Sequence, residues 1–248
     1  MVQVAAIIQA RMGSTRFPGK STKLLSGLSL LEHIIIRLQQ VSEIELIQLA
    51  TTNTGMETPL IEIAQAHNAE VFQGSEEDVL GRFIEAGEAI ESKHIVRICG
   101  DNPLPDLPLL RSLIQAHLET HSDCTLPADP IPLGTGCEVV SLNALKKVGK
   151  LASDQKYREH VTTWFHDHGD NFLITRVDTP AYLKNRNFRL TVDTPEDFLL
   201  MEKIFSELNP PSPASLDLEA VIALLETHPE ITTLNSKVTQ KDWRTKNQ

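Results

Sequence analysis

The alternation of short apolar runs with segments of helical period constrains this chain most. Apolar runs bounded by turn residues recur at 4–8, 45–50, 70–72 and 94–99, and helix-period segments lie between them near 30–41, 56–67 and 77–91. The run Val4-Ala-Ala-Ile-Ile8 shows no polar alternation, the mark of a strand covered on both faces. The βαβαβαβ order therefore predicts an α/β fold with a mostly parallel sheet flanked by helices. Right-handed crossovers place all four strand ends on one edge, where ligands of open α/β sheets bind. Further along, the pattern predicts a helix from Pro108 to about Thr120 and a less regular region over 123–141 with strands at 124–126 and 137–140. One helix over 154–167, strands at 171–177 and 188–192 and a helix over 195–207 follow. Asn209-Pro-Pro-Ser-Pro-Ala-Ser215 breaks the chain before a last helix at 216–227, and a polar, mobile tail is expected from Ser236. The expected organisation is one domain over 1–208, with 209–248 its linker, terminal helix and tail.

The first strand empties into Ala10-Arg-Met-Gly-Ser-Thr-Arg-Phe-Pro-Gly-Lys20. A strand, a flexible cationic loop and a helix suit a polyphosphate: glycines let the backbone approach, N–H groups point inward, and Arg11, Arg16 and Lys20 offset the charge. No G-x-x-x-x-G-K-[ST] frame runs in phase here, and the spacing of Gly13 and Gly19 is not that of a dinucleotide fingerprint. Asp101, in Gly100-Asp-Asn-Pro103, follows the run at 94–99 and so stands at the ligand edge of the sheet. Gly-Asp-Asn-Pro is also good turn chemistry, so position alone leaves the two roles evenly weighted. Asp193 precedes Thr194-Pro-Glu-Asp197, a helix start with Thr194 as N-cap, Pro195 at the first position and Asp197 closing the pair. That cap has no use for Asp193.

Composition narrows the class. A formal net charge of −10 excludes a nucleic-acid-coating surface, though not a local basic pocket for a nucleotide. No apolar run is long enough to span a bilayer, and the N-terminus lacks a signal-peptide pattern, so the expected location is the cytoplasm, without membrane partners. Cys99, Cys124 and Cys137 are scattered and odd in number, against both a disulfide framework and a zinc site.

Five segments in order carry a family resemblance across roughly residues 3–205: the loop at 10–20, Asp78-Val-Leu-Gly-Arg-Phe83, Arg97-Ile-Cys-Gly-Asp-Asn-Pro103, Arg158-Glu-His-Val161 and Leu190-Thr-Val-Asp-Thr-Pro-Glu-Asp197. Together they resemble the cytidylyltransferase family of acidic-sugar activating enzymes, the CMP-ulosonate synthetases, and within it the SpsF-like branch of spore coat polysaccharide biosynthesis. The resemblance implies a nucleotide-diphospho-sugar transferase (GT-A-like) architecture. It also implies a Mg²⁺-dependent nucleotidyltransferase: a sugar oxygen attacks the α-phosphorus of CTP, pyrophosphate leaves, and the activated sugar serves surface glycan synthesis.

By the same resemblance Asp101 and Asp193 are the magnesium ligands, and two carboxylates suit an octahedral ion that takes further oxygens from phosphates and water. Ala10, Arg11, Gly13, Ser14, Arg16, Lys20 and Lys23 are expected at the nucleotide, with Thr15 a further hydroxyl; Arg16, Lys20 and Asp101 are the expected catalytic groups. Arg82, Glu138, Arg158 and His160 are expected at the sugar. Arg158 would pair with an acidic sugar's carboxylate, and His160 is weighed as a general base against an ordinary structural histidine. A homodimer is the family expectation. The chain departs from its relatives at Gly27-Leu28-Ser29, where they carry Gly-Lys-Pro, with Lys23 the nearby substitute, and at Cys99, where they carry Gln or Thr. The residues themselves admit CTP, GTP or UTP.

Two rival readings exist. A glycosyltransferase of related fold would need an Asp-x-Asp motif, which neither Asp101 nor Asp193 provides. A non-catalytic sugar-nucleotide binder is favoured by the missing Lys and opposed by the retention of both carboxylates.

Overall fold

A computed structural model describes residues 2–240. Strand β1 (Val2–Gln9) leads through the cationic loop and a small hairpin, β2 (Leu24–Leu25) and β3 (Leu28–Ser29), into helix α1 (Leu30–Leu38). Then come β4 (Leu46–Thr52), α2 (Thr58–Ala66), β5 (Glu70–Gly74), α3 (Val79–Ala89), β6 (Ser92–Cys99) and α4 (Leu107–Thr120). The second half contains β7 (Cys124–Pro127), β8 (Glu138–Ser141), α5 (Leu142–Leu151), α6 (Gln155–Glu159), α7 (Thr163–Asp167) and β9 (Ile174–Val177). Helices α8 (Pro195–Leu208), α9 (Leu218–Thr227) and α10 (Pro229–Thr232) complete it.

Seven strands form one sheet in the order β5-β4-β1-β6-β8-β7-β9. β5, β4, β1 and β6 are mutually parallel, β8 runs antiparallel between β6 and β7, and β9 is parallel to β7. β1 is central because its apolar run is buried on both faces. Val4, Ala6 and Ile8 enter one core with α1, α2, α4, α8 and α9, while Ile7 enters the other with α3, α5 and the α6–α7 segment. Helix ends are set by side-chain caps: Ser29 and Glu32 form a capping box on α1, and Asp78 and Asp106 cap α3 and α4. Leu216, Val221, Ile222 and Leu225 lie in the same core as α1 and α8, so the terminal helices close the chain onto its own sheet.

Several expectations are corrected. Residues 188–192 are extended but join no sheet; a single bridge pairs Leu133 with Arg189. The ladder partner is the loop Pro130–Gly134, whose prolines cannot supply N–H groups for a regular ladder. The helix expected over 154–167 is two short helices interrupted at His160–Thr162. The strand expected at 171–177 begins only at Ile174, and α5 lies in a stretch for which no element was expected. Of the tail expected to be mobile from Ser236, Val238 N–H bonds the Asn235 carbonyl and Gln240 accepts from Arg189; residues 241–248 lie outside the described residues.

Candidate functional site

The C-terminal ends of β1 and β6 meet over one glycine. Gly100 donates its N–H to the Gln9 carbonyl at 2.8 Å, and a Cβ on it would lie 2.6 Å from the Ala10 Cβ and 2.8 Å from the Gln9 oxygen. Only a residue without a side chain lets the cationic loop and the Asp101 turn lie against each other. Gly134 performs a similar service across the cleft: at φ +98° its missing Cβ leaves room for the Thr191 N–H, 2.5 Å from where that atom would be. The extended segment before Asp193 is then tied down at both ends, Leu190 N–H to the Leu133 carbonyl at 2.7 Å and Val192 N–H to the Asp101 carbonyl at 2.8 Å.

These contacts bring Asp101 and Asp193, 92 positions apart in the chain, to one point. Lys20 Nζ donates to Asp101 Oδ2 at 3.0 Å and to Asp193 Oδ1 at 2.9 Å, so the two oxygens lie within about 6 Å of each other. Asp193 Oδ2 faces Arg16 Nη2 and Arg189 Nη2, each at 3.0 Å. Burial opposes the charge on Lys20, but Asp101 and Asp193 outweigh it and raise the ammonium's pKa above its ordinary value. Burial likewise pushes Asp193 upward, and Lys20, Arg16 and Arg189 together hold it below the usual carboxylate range. A cation is thus seated between two carboxylates.

The point lies in a cleft of about 980 Å³ along the ligand edge of the sheet. Ala10, Arg11, Ser14, Thr15, Arg16, Lys20 and Asp101 line it from the β1 and β6 side, and Glu138 and His160 from the other. Arg11 is paired with Glu76 at 2.7 Å, both exposed, and Arg82 lines the cleft while donating to the Ser75 carbonyl. The loop between them is held by Glu57, whose buried carboxylate accepts from Met12 N–H at 2.9 Å and from the hydroxyls of Thr51, Thr52 and Thr54. His160 has its pKa lowered by burial, against the pull of Glu159, and is neutral at pH 7.

Three expected residues are not brought to the cleft wall. Arg158 turns to the carboxylate of Asp78 and to the Gly149 carbonyl at 3.0 Å, so its fork holds α6 against the start of α3. Lys23 lies 5.7 Å from the Phe17 ring centre, as a cation–π partner behind the loop. Gly13 shapes the loop, with Ser14 N–H on the Met12 carbonyl beside it. Cys99 does line the cleft, but burial pushes its thiol up to about 12, which makes it inert as a nucleophile at neutral pH.

Sequence reasoning missed Arg97 and Arg189. Arg97 lies on β6 directly across from Glu138 on β8, and its guanidinium donates to Glu138 at 3.1 Å and lines the cleft. Its position two residues before Cys99, on the same strand face, was the available signal. Arg189 had none, because its partners Asp193 and Asp197 are four and eight residues away in a segment without regular period.

Among the described residues no group of three or more His, Cys, Asp or Glu side chains is placed to hold a metal ion. The cleft instead offers two carboxylates, Asp101 and Asp193, beside the cations Lys20, Arg16 and Arg189. No helix among the described residues is long and apolar enough to cross a membrane.

The chain matches the family model described as Cytidylyltransferase over residues 5–233. It is 34% identical over 240 residues to the spore coat polysaccharide biosynthesis protein SpsF of Bacillus subtilis, covering 94% of this chain and 98% of that one. A solved cytidylyltransferase from Leptospira borgpetersenii aligns with a TM-score of 0.87 at 25% identity, over 97% of this chain and 100% of the other. CMP:2-keto-3-deoxy-manno-octonic acid synthetase complexed with CTP aligns with a TM-score of 0.64 at 16% identity, over 83% and 99%, a likeness of fold. With the five ordered segments now gathered around one cleft, and a family match spanning nearly the whole chain, this protein belongs to the cytidylyltransferase family and is a nucleotidyl-transferring enzyme.

Proposed function

We propose that this protein couples CTP to an acidic sugar, releasing pyrophosphate and leaving a CMP-activated sugar for surface polysaccharide synthesis. The observation that carries the reading is the convergence of Asp101 and Asp193 on Lys20 beside Arg16 in a cleft at the strand ends. Transfer of a nucleotidyl group needs little covalent chemistry from a protein; positioning and charge stabilisation dominate. CTP and the acidic sugar follow from the relatives' names and the fold likeness to the synthetase with CTP.

Two carboxylates with no third protein ligand fit Mg²⁺, which keeps waters and draws its other oxygens from phosphates. Asp101 and Asp193 would hold it, and when bound it supplies charge neutralisation at the α-phosphate. The chain's own residues do the rest. The loop from Ala10 to Lys20 receives the triphosphate, with Arg16 and Lys20 compensating the charge that moves onto pyrophosphate as the bond between the α-phosphorus and its bridging oxygen breaks. On the other wall, Arg97 and Glu138 bind the acceptor, whose hydroxyl oxygen forms the new bond to phosphorus. His160, neutral at pH 7, takes the hydroxyl proton.

Pyrophosphate release with Mg²⁺, for each nucleoside triphosphate against ulosonic acids and neutral sugar phosphates, tests the reading. The expected result is release with CTP and one acidic sugar, reduced at least about 100-fold in Asp101→Asn. Release without any sugar, or full activity in Asp101→Asn, would refute it.

A further inference from the structure

Asp193 is held by a polar relay that runs to the last described residues. Arg189 Nη2 donates to Asp193 Oδ2 at 3.0 Å and to Asp197 Oδ2 at 2.9 Å, while its Nε reaches Asp197 Oδ1 at 2.8 Å. Asp197 is fully buried and also accepts the backbone N–H groups of Asp193 at 3.0 Å and Thr194 at 3.1 Å. Asn235, buried and 42 positions beyond Asp193, donates its amide to Asp197 Oδ1 at 2.9 Å and to the Arg189 carbonyl at 3.0 Å. Gln240 Oε1 accepts from Arg189 Nη1 and stands at the cleft wall.

A helix cap does not require this much. The Thr194 hydroxyl and the Asp197 carboxylate already satisfy each other's N–H groups, as a capping box does. The added partners have a different effect: they leave Asp193 Oδ2 committed to Arg16 and Arg189, and turn Oδ1 toward Lys20 and Asp101. Oδ1 is thus the oxygen presented to whatever cation occupies the point. Because Asn235 bonds both the side chain that grips Arg189 and the backbone carbonyl of Arg189 itself, it fixes the direction of that grip.

We propose that Asn235, acting through Asp197 and Arg189, is a positioning residue for Asp193, so that the segment after the last helix completes the cation-holding side of the active site. The inference rests on the reading of Asp101 and Asp193 as cation ligands. Outer partners of a ligating carboxylate typically govern affinity by about 10- to 100-fold.

The test is Mn²⁺ binding to the full-length protein with CTP present, read by electron paramagnetic resonance well below the melting temperature of every variant. Asn235→Ala should raise the Mn²⁺ dissociation constant about tenfold, leave metal-free CTP binding unchanged, and lower kcat without altering the KM for CTP. Asn235→Ser, which keeps a short hydrogen-bonding side chain, should fall between wild type and Asn235→Ala. Asn235→Ala in an Arg189→Lys background should add little, since both act on one path. Variants that melt at lower temperature yet bind Mn²⁺ within twofold of wild type would overturn the inference and leave Asn235 as packing alone. A wild-type protein that binds CTP but no Mn²⁺ would instead refute the cation reading itself, and this inference with it.

Discussion

Replacing Lys20 by Met removes the charge that the two cleft carboxylates share. In the native protein Nζ stands 3.0 Å from Asp101 and 2.9 Å from Asp193. In the variant those oxygens face each other within about 6 Å, and two unit charges at that distance repel by about 3 kcal/mol at an effective dielectric of roughly 20. The Asp101 side chain is 29% exposed, and Arg16 and Arg189 still face Asp193. Solvent and these counter-charges reduce the expected loss to about 1–2 kcal/mol. For a chain of this size that is roughly 2–8 °C in melting temperature. The unbranched Met keeps most of the lysine's packing, so the loss is chiefly electrostatic. Melts of both proteins in EDTA and in millimolar Mg²⁺, at low ionic strength and without nucleotide, provide the assay. Mg²⁺ should recover most of the variant's loss and raise the wild type less, because a divalent ion can stand where the ammonium stood. Pyrophosphate release should stay about 100-fold down or lower in either condition, since the triphosphate has lost its cation. A variant that melts like wild type and ignores Mg²⁺ would show that these carboxylates neither repel each other nor hold a cation.

Two further outcomes are expected. Burial, and then the charge of neighbouring His94, lowers the pKa of His117 to about 3, and its ring is bonded to His94 at 3.0 Å and Thr125 at 2.9 Å. The unfolded chain therefore binds this proton first as pH falls, and stability should decline by about 1 kcal/mol per unit from near pH 6 toward pH 4. Denaturant titrations across that range should show a flatter slope in His117→Gln even if that variant starts less stable, and an unchanged slope would count against the assignment. Arg158→Ala should lower the melting temperature by a few degrees, through loss of its bonds to Asp78 and Gly149, and leave the acceptor KM within twofold. A large rise in acceptor KM with unchanged stability would return Arg158 to the sugar.

What could be read in advance follows from how local each signal is. β1, β4 and β6 declared themselves because strands inside the sheet need apolar runs, the edge strand β5 by the short pair Val71-Phe72, and the chain between each pair has helical period. The first loop and Asp101 were visible because each adjoins such a strand. The segment before Asp193 was misread for a physical reason. Leu190 and Val192 flank the polar Thr191, the apolar–polar alternation of a strand, yet all three are buried and the segment meets a proline-bearing loop at one bridge and not in a ladder. The placing of Arg158 depends on partners at the cap of α3 and in α5 that no local pattern announces. Asp197 was legible as a cap and illegible as the hub that joins Arg189 to Asn235, because Asn235 comes from a stretch of chain 38 residues away.

The distance along the chain between Lys20 and Asp193 has a consequence for the order of assembly during synthesis. The four parallel strands and the cationic loop are complete by Cys99, and a protein made from its N-terminus can begin to pack them while the rest is still unmade. β8, which must slip between β6 and the earlier-made β7, comes later, and the carboxylate that meets Lys20 later still, 173 residues downstream. Asn235, which braces it, is made after it again. A growing chain therefore carries an anion-attracting loop long before it has a second carboxylate to organise what that loop attracts.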